Sequence, residues 1–230
     1  MKIWHISDTH TYHGLLEIPE DIDIAIFSGD CSNQKDKYQN EQEVLNFLMW
    51  FGMNVKARYK IFVAGNHDVS IQAGFIAKEK FEEYGIIYLE NSYIIIPNGF
   101  EPIKIWGSPF TPTFGEGWAF NKRRDKLHDL WKHIPDDTNI VVTHGPPKGI
   151  LDLSYSRENV LEFCGDESLR KRMYLLNLKL CLFGHIHNCE DIINAGTMKL
   201  SNHNTIYSNG SVVTDGKFGK LTSNGNIFEI

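Results

Sequence analysis

The stretch LCLFGHIHN (Leu180–Asn188) is the key to reading the rest of the chain. Four residues, Leu180 to Phe183, are apolar, and Gly184, His185, Ile186 and His187 follow at once. A short apolar run with polar flanks predicts a strand buried on both faces. In extended backbone, residues i and i+2 project to the same side. His185 and His187 should therefore leave the sheet edge together. Two neutral imidazoles so placed are either a surface accident or half of a metal site, and the pair alone does not decide.

The same pattern recurs along the chain. Strand-like runs occupy 2–7, 23–28, 60–64, 86–89, 93–96, 104–107, 139–143 and 179–183. Asp8 and His10 follow the first of these, Gly29-Asp30 the second, Gly65-Asn66-His67-Asp68 the third and His144-Gly145 the seventh. Helix-like periodicity covers 41–57, with Val44, Leu45, Leu48, Phe51 and Val55 on one face, and recurs over 75–84, 122–133 and 167–176. Apolar strands alternating with amphipathic helices predict an α/β fold with covered sheets. In such folds sites assemble at the carboxyl ends of the strands. From residue 191 onward, Asn-Gly and Asp-Gly pairs between short strands predict hairpins. No internal repeat, low-complexity tract or linker breaks the pattern, so a single domain over residues 1–230 is expected.

Composition narrows the chemistry. Of 230 residues, 42% are hydrophobic and 23% charged, which suits a globular core, and no run is long and apolar enough to predict a membrane span. The start, MKIWHISDTH, reads as a strand rather than a signal peptide. Cys31, Cys164, Cys181 and Cys189 are scattered without C-x-x-C spacing and read as reduced thiols of a cytoplasmic protein. A net charge of −6 argues against a broad nucleic-acid surface but leaves room for a small anionic ligand held by metal ions.

D-x-H, G-D, G-N-H-D, H-G and G-H-x-H, in that order from Asp8 to His187, resemble the calcineurin-like metallophosphoesterases. THGPP (143–147) and IWGSPFTPTFGEGWAFN (105–121) resemble the small MPPED-type, class III cyclic-nucleotide phosphodiesterase-like branch. The resemblance implies a four-layer α/β/β/α sandwich with two mixed sheets and two divalent metal ions. One ion would be held by Asp8, His10, Asp30 and His187, and the other by Asp30, Asn66, His144 and His185, with Asp30 bridging. It also implies that His67 is not a ligand and instead protonates the leaving oxygen or stabilises the charged transition state. Asp68 would orient His67 or a ligand. Nitrogen and oxygen donors without thiolate suit Mn, Fe or Zn. The implied reaction is hydrolysis of a small phosphate ester or nucleotide, with a hydroxide made available by the metals attacking phosphorus in line.

Two absences bear on substrate. The phosphoprotein phosphatases of this superfamily carry D-R-G after G-D and an arginine ahead of G-N-H. Here Cys31 follows Asp30, and Ala64 precedes Gly65. Without that clamp on a phosphomonoester dianion, small phosphodiesters, including cyclic nucleotides, are the expected substrates. Phe110, Phe114 and Trp118 offer rings for base stacking or close the core over the sheet. Ser208–Ser211 reads as a hairpin turn or as a loop near the metals. Arg123 and Arg124 read as solvated, and His5, His13, His128, His133 and His203 as structural or solvated. The alternatives are a phosphomonoesterase and a low-turnover metal-binding scaffold on the same fold.

Overall fold

The computed structural model describes residues 1–156, 158–189, 191–201, 203–214 and 219–230. The chain begins with β1 (Lys2–Ile6), β2 (Ile24–Phe27), α1 (Lys37–Met53), β3 (Tyr59–Phe62), α2 (Val69–Gln72), α3 (Lys78–Glu83) and β4 (Ile86–Tyr88). It continues through β5 (Ser92–Ile96), β6 (Ile103–Ser108), β7 (Thr111–Pro112), β8 (Asn121–Lys122), α4 (Arg124–Trp131) and β9 (Ile140–Thr143). β10 (Leu153–Tyr155), β11 (Leu161–Phe163), α5 (Glu167–Leu175), β12 (Leu180–Phe183), β13 (Gly196–Lys199), β14 (Ile206–Asn209) and β15 (Asn226–Glu229) complete it.

Two main mixed sheets form, ordered β15-β1-β2-β3-β4 and β13-β14-β12-β9-β6-β5. Their central strands are parallel, and the antiparallel pairs lie toward the edges: β1 with β15, β13 with β14 and β5 with β6. The strand sequences explain the layering, because alternate residues face opposite sides. Ile24, Ile26, Ile61, Ile140, Val142, Leu180 and Leu182 meet in a core between the sheets. Ala25, Phe27 and Phe62 face the other way, onto Val44, Phe47, Phe51 and Phe81 of α1 and α3. Val141, Cys181 and Phe183 pack on Leu127 and Trp131 of α4 and on Leu169 and Met173 of α5. The layers are thus α/β/β/α, as the resemblance implied.

Each helix expected from the sequence forms, with shifted ends. The helix expected over 41–57 starts at Lys37, because the Asp36 carboxylate accepts the backbone N–H groups of Tyr38 and Gln39, and it ends at Met53. The other helical stretches shorten to α3, α4 and α5.

The hairpin expectation for the C-terminal part needs correction. Asn209-Gly210 is not a turn between paired neighbours, since β14 runs parallel to β12. The chain then crosses to the other sheet, where Ser211 bridges Ser7. Asn224-Gly225 likewise leads into β15, which pairs with β1. Asp215-Gly216 lies outside the described residues. An antiparallel bridge between Val213 and Leu221 flanks it.

One carboxylate ties the outer helices together. Asp166 Oδ1 caps α5 by accepting the Leu169 N–H (2.7 Å), and it also accepts the buried Trp131 Nε1–H from α4 (2.9 Å). Asp166→Ala removes the cap and orphans the indole N–H. It should lower unfolding free energy by about 2–4 kcal/mol, measured by urea denaturation. A loss below about 0.5 kcal/mol would show that the cap does not bear on stability.

Candidate metal centre

The loops after β1, β2, β3, β9 and β12 converge at one edge of the sandwich. Three groups of donor atoms lie there, each within 4.8 Å of one another: Asp8, His10 and His187; His10, Asp30 and His67; and Asp30, His144 and His185. Asn66 joins through its Oδ1, 2.9 Å from His144 Nε2. The structure thus brings together all seven residues expected to be ligands, with Asp30 between the two sets. The first sheet contributes Asp8, His10, Asp30 and Asn66, and the second contributes His144, His185 and His187.

The local backbone is bent to aim these groups. Asp8, His10, Asp30 and His185 have φ of 52°, 43°, 63° and 70°. Such left-handed conformations of non-glycine residues persist only where the surroundings enforce them. Gly184 is needed for close approach: a Cβ there would collide with Ser7 Oγ and Asp8 Oδ2.

Hydrogen bonds fix which lone pairs face inward. His144 Nδ1 lies 2.9 Å from the Ser28 carbonyl, which can only accept, so Nδ1 carries the proton. Its Nε2 then faces Asn66 Oδ1 and, at 3.2 Å, Asp30 Oδ2. His10 Nδ1 donates to Asn33 Oδ1 (2.8 Å), which directs His10 Nε2 at His187 Nε2 (3.3 Å), itself 3.0 Å from Asp8 Oδ1. Asp8 also accepts the Ser211 hydroxyl (2.7 Å) and the His185 N–H. The residues therefore fit divalent cations, because two sets of converging acceptor atoms repel one another unless a cation or protons lie between them.

The ionisation of the metal-free chain reflects this crowding. Burial alone would lower His144, but the charge and hydrogen bond of Asp30, with Asp8 behind, raise it to about 9. Burial would raise Asp8 and Asp30, yet the surrounding imidazoles hold both below the usual carboxylate range. His185 is lowered to about 3 by burial and by His144.

His67 lies at the mouth of the site. Its backbone N–H donates to Asp30 Oδ1 (2.7 Å), its Nε2 is 4.0 Å from Asp30 Oδ2, and its buried Nδ1 has no hydrogen-bond partner among the described residues. Its ring touches those of His10 (4.7 Å between centroids) and Trp118 (4.4 Å). Trp118 stacks on Phe114 (5.9 Å), which reaches His185 (5.1 Å), so an aromatic wall runs from His67 to His185. Phe110 lies apart from the wall, its ring on Phe120 and against the core.

Asp68 orients the loop that carries Asp30. Its carboxylate accepts the backbone N–H groups of Asp30 (3.0 Å), Cys31 (3.1 Å) and Gly65 (2.8 Å), with the Ser32 hydroxyl (2.8 Å). Other contributors carried no signal in the sequence. Asn33 sets the His10 tautomer, and Lys35 Nζ lies 3.9 Å over the Trp118 ring. Ser211 was legible only as part of an ambiguous SNGS stretch. His5 is structural, bridging the sheets between Ser28 Oγ and Ser208 Oγ.

Residues 1–189 match the calcineurin-like phosphoesterase family, and the chain belongs to it. It is 34% identical over 195 residues to the probable rhamnogalacturonate lyase C of Emericella nidulans, a match covering 81% of this chain and 17% of that protein. It is 32% identical over 235 residues to human metallophosphoesterase domain-containing protein 1, covering 91% of this chain. The chain spans 65% of the length of that human relative. Among solved structures, the phosphopantetheinyl hydrolase of Mycobacterium tuberculosis is similar in fold, with a TM-score of 0.61 and 14% identity over 92% of this chain and 89% of that one. TT1561 of Thermus thermophilus is similar at a TM-score of 0.60 and 14% identity, over 90% and 88% of the two chains. Within this family, the chain carries buried His/Asp clusters consistent with a dinuclear metal site.

The raised His144 pKa gives metal loading a sign. Its proton contributes stability to the metal-free chain that is fully present below pH 6.5 and is lost as pH rises through about 9. A cation must displace that proton. Mn²⁺ or Zn²⁺ affinity should therefore rise with pH from about 6.5 to 9, with proton release detectable by calorimetry in buffers of different ionisation enthalpy. Affinity independent of pH across that window would contradict the assignment.

Proposed function

We propose that the chain is a dinuclear metal-dependent phosphodiesterase acting on small phosphodiesters or cyclic nucleotides. The observation that carries this reading is the pair of donor sets meeting at Asp30. Asp8, His10, Asp30 and His187 would hold one ion, and Asp30, Asn66, His144 and His185 the other. The donor chemistry suits Mn, Fe or Zn. Bound there, the ions would neutralise phosphoryl oxygens and make water nucleophilic near neutral pH. The four cysteines are free thiols, which suits a reducing, cytoplasmic setting.

The side chains divide the remaining work. Asp30 sits between the two donor sets with Oδ1 pinned by the His67 N–H, so Oδ2 keeps its direction. His67 presents its imidazole at the mouth and delivers a proton to the departing oxygen. Trp118 and Phe114 wall the cleft. The cleft itself, of about 150 Å³, is lined by Asp30, Asn66, His67, Phe114, His185 and His187 among others.

The diester preference rests on charge. The run CSNQ (Cys31–Gln34) follows Asp30 without an arginine, and Ala64 stands before Gly65. A monoester dianion carries charge that this site must meet without those arginines, whereas a diester monoanion needs less. With Mn²⁺ loaded, bis-p-nitrophenyl phosphate should have a higher kcat/KM than p-nitrophenyl phosphate. A tenfold preference for the monoester would overturn the reading.

His67→Ala should keep metal content, read by elemental analysis, and lower turnover by about 10²–10⁴-fold. Diesters with alkoxide leaving groups should suffer more than those releasing nitrophenolate, which needs little protonation. Equal losses would exclude proton donation by His67, and loss of a metal would make it a ligand.

A further inference from the structure

A second cavity opens beside the metal centre. It measures about 430 Å³, within the range of about 300–1,000 Å³ common for small-molecule sites. Phe114, Ser154, His185 and Ile186 line both this groove and the 150 Å³ cleft, so the two adjoin. A phosphate ester bound at the clusters would therefore have the groove as neighbouring space for one substituent.

The groove's walls carry a specific pattern. In the β10–β11 hairpin Ser154 pairs with Glu162, which puts both side chains on one face. Arg124, at the start of α4, donates to the carbonyls of Gly165 and Cys164, each at 2.8 Å, which fixes its guanidinium against the hairpin's end. Neither Arg124 nor Glu162 has an ion-pair partner within 4.0 Å among the described residues. Phe114, 47% exposed, supplies an aromatic face between the two cavities. The groove thus offers a ring to lie against, a fixed donor and an unpaired acceptor.

The wall also has a direction. It runs from His67 through Trp118 and Phe114 to His185, and the groove opens at the His185 end. Since His67 serves the departing oxygen, the diester's other substituent is the one that phosphorus keeps, and the groove lies away from His67 to receive it. We infer that the groove formed by Phe114, Arg124, Ser154 and Glu162 is a specificity subsite for the retained ester group, and that it takes a planar group with hydrogen-bonding edges, of the nucleoside class. This rests on the diesterase reading above and adds to it which substituent is read, and by which residues.

Two substrates with the same leaving group isolate the subsite: thymidine 5′-(p-nitrophenyl phosphate) and methyl p-nitrophenyl phosphate. The Mn²⁺-loaded protein should favour the first by at least tenfold in kcat/KM. Glu162→Ala and Arg124→Ala should each lower that ratio at least fivefold while leaving the methyl ester's kcat/KM unchanged, and Glu162→Gln, which keeps an acceptor, should restore most of it. Arg124→Ala removes two hydrogen bonds to the hairpin end, so the Glu162 pair decides if that variant folds poorly. Calorimetry of the products reads the groove without turnover: thymidine 5′-phosphate should bind at least fivefold tighter than methyl phosphate, and Glu162→Ala should abolish the difference. A ratio near one in both assays, or an equal loss on both substrates in Glu162→Ala, would overturn the subsite. Absence of diester turnover with the binding difference intact would overturn the diesterase reading and keep the subsite.

Discussion

The centre is governed by the crowding of nitrogen and oxygen atoms that need a cation or a proton between them. Asp30 Oδ2, Asn66 Oδ1 and His144 Nε2 meet within hydrogen-bonding distance. His10, His187 and Asp8 do the same alongside. Each inward direction is enforced from behind, by Ser28 on His144, by Asn33 on His10 and by Ser211 on Asp8. The fold therefore holds a concentration of negative potential around Asp8 and Asp30. Protons relieve it in part, and divalent cations relieve it more completely.

That constraint explains features removed from the donors themselves. Strained backbone at Asp8, His10, Asp30 and His185 is tolerated because the flanking strands are buried on both faces and cannot relax. Asp68 is fully buried, and burial raises its carboxyl above the usual range, yet it gathers several donors to hold the Asp30 loop. Because the donors come from both sheets, the core of Ile24, Ile26, Val142 and Leu182 between them also sets the distance across the site.

The parts of this design legible in the sequence are those tied to a periodicity or a strand end. IAIF, IVVT and LCLF read as strands because central parallel strands bury both faces. The donors were legible because each follows such a run directly. Helix ends were less so: α1 begins where Asp36 can cap it, ahead of the apolar stripe. Asn209-Gly210 misled because the pair that makes a tight turn also permits a crossover, and here Gly210 passes where a Cβ would meet the His5 ring. Asn33, Lys35 and the Ser154–Glu162 pair arrive from loops and a short hairpin, where neither spacing nor alternation marks a residue as facing the site.

The donors and the groove are encoded in different kinds of segment. Donors sit on strand ends whose geometry is locked by the interior, while Phe114, Arg124, Ser154 and Glu162 lie on short surface elements between β7 and α5. A change of rim residue can reshape the groove without moving a donor of the metal centre. The architecture is in that sense modular, with buried strands holding the donors and exposed short elements holding the groove.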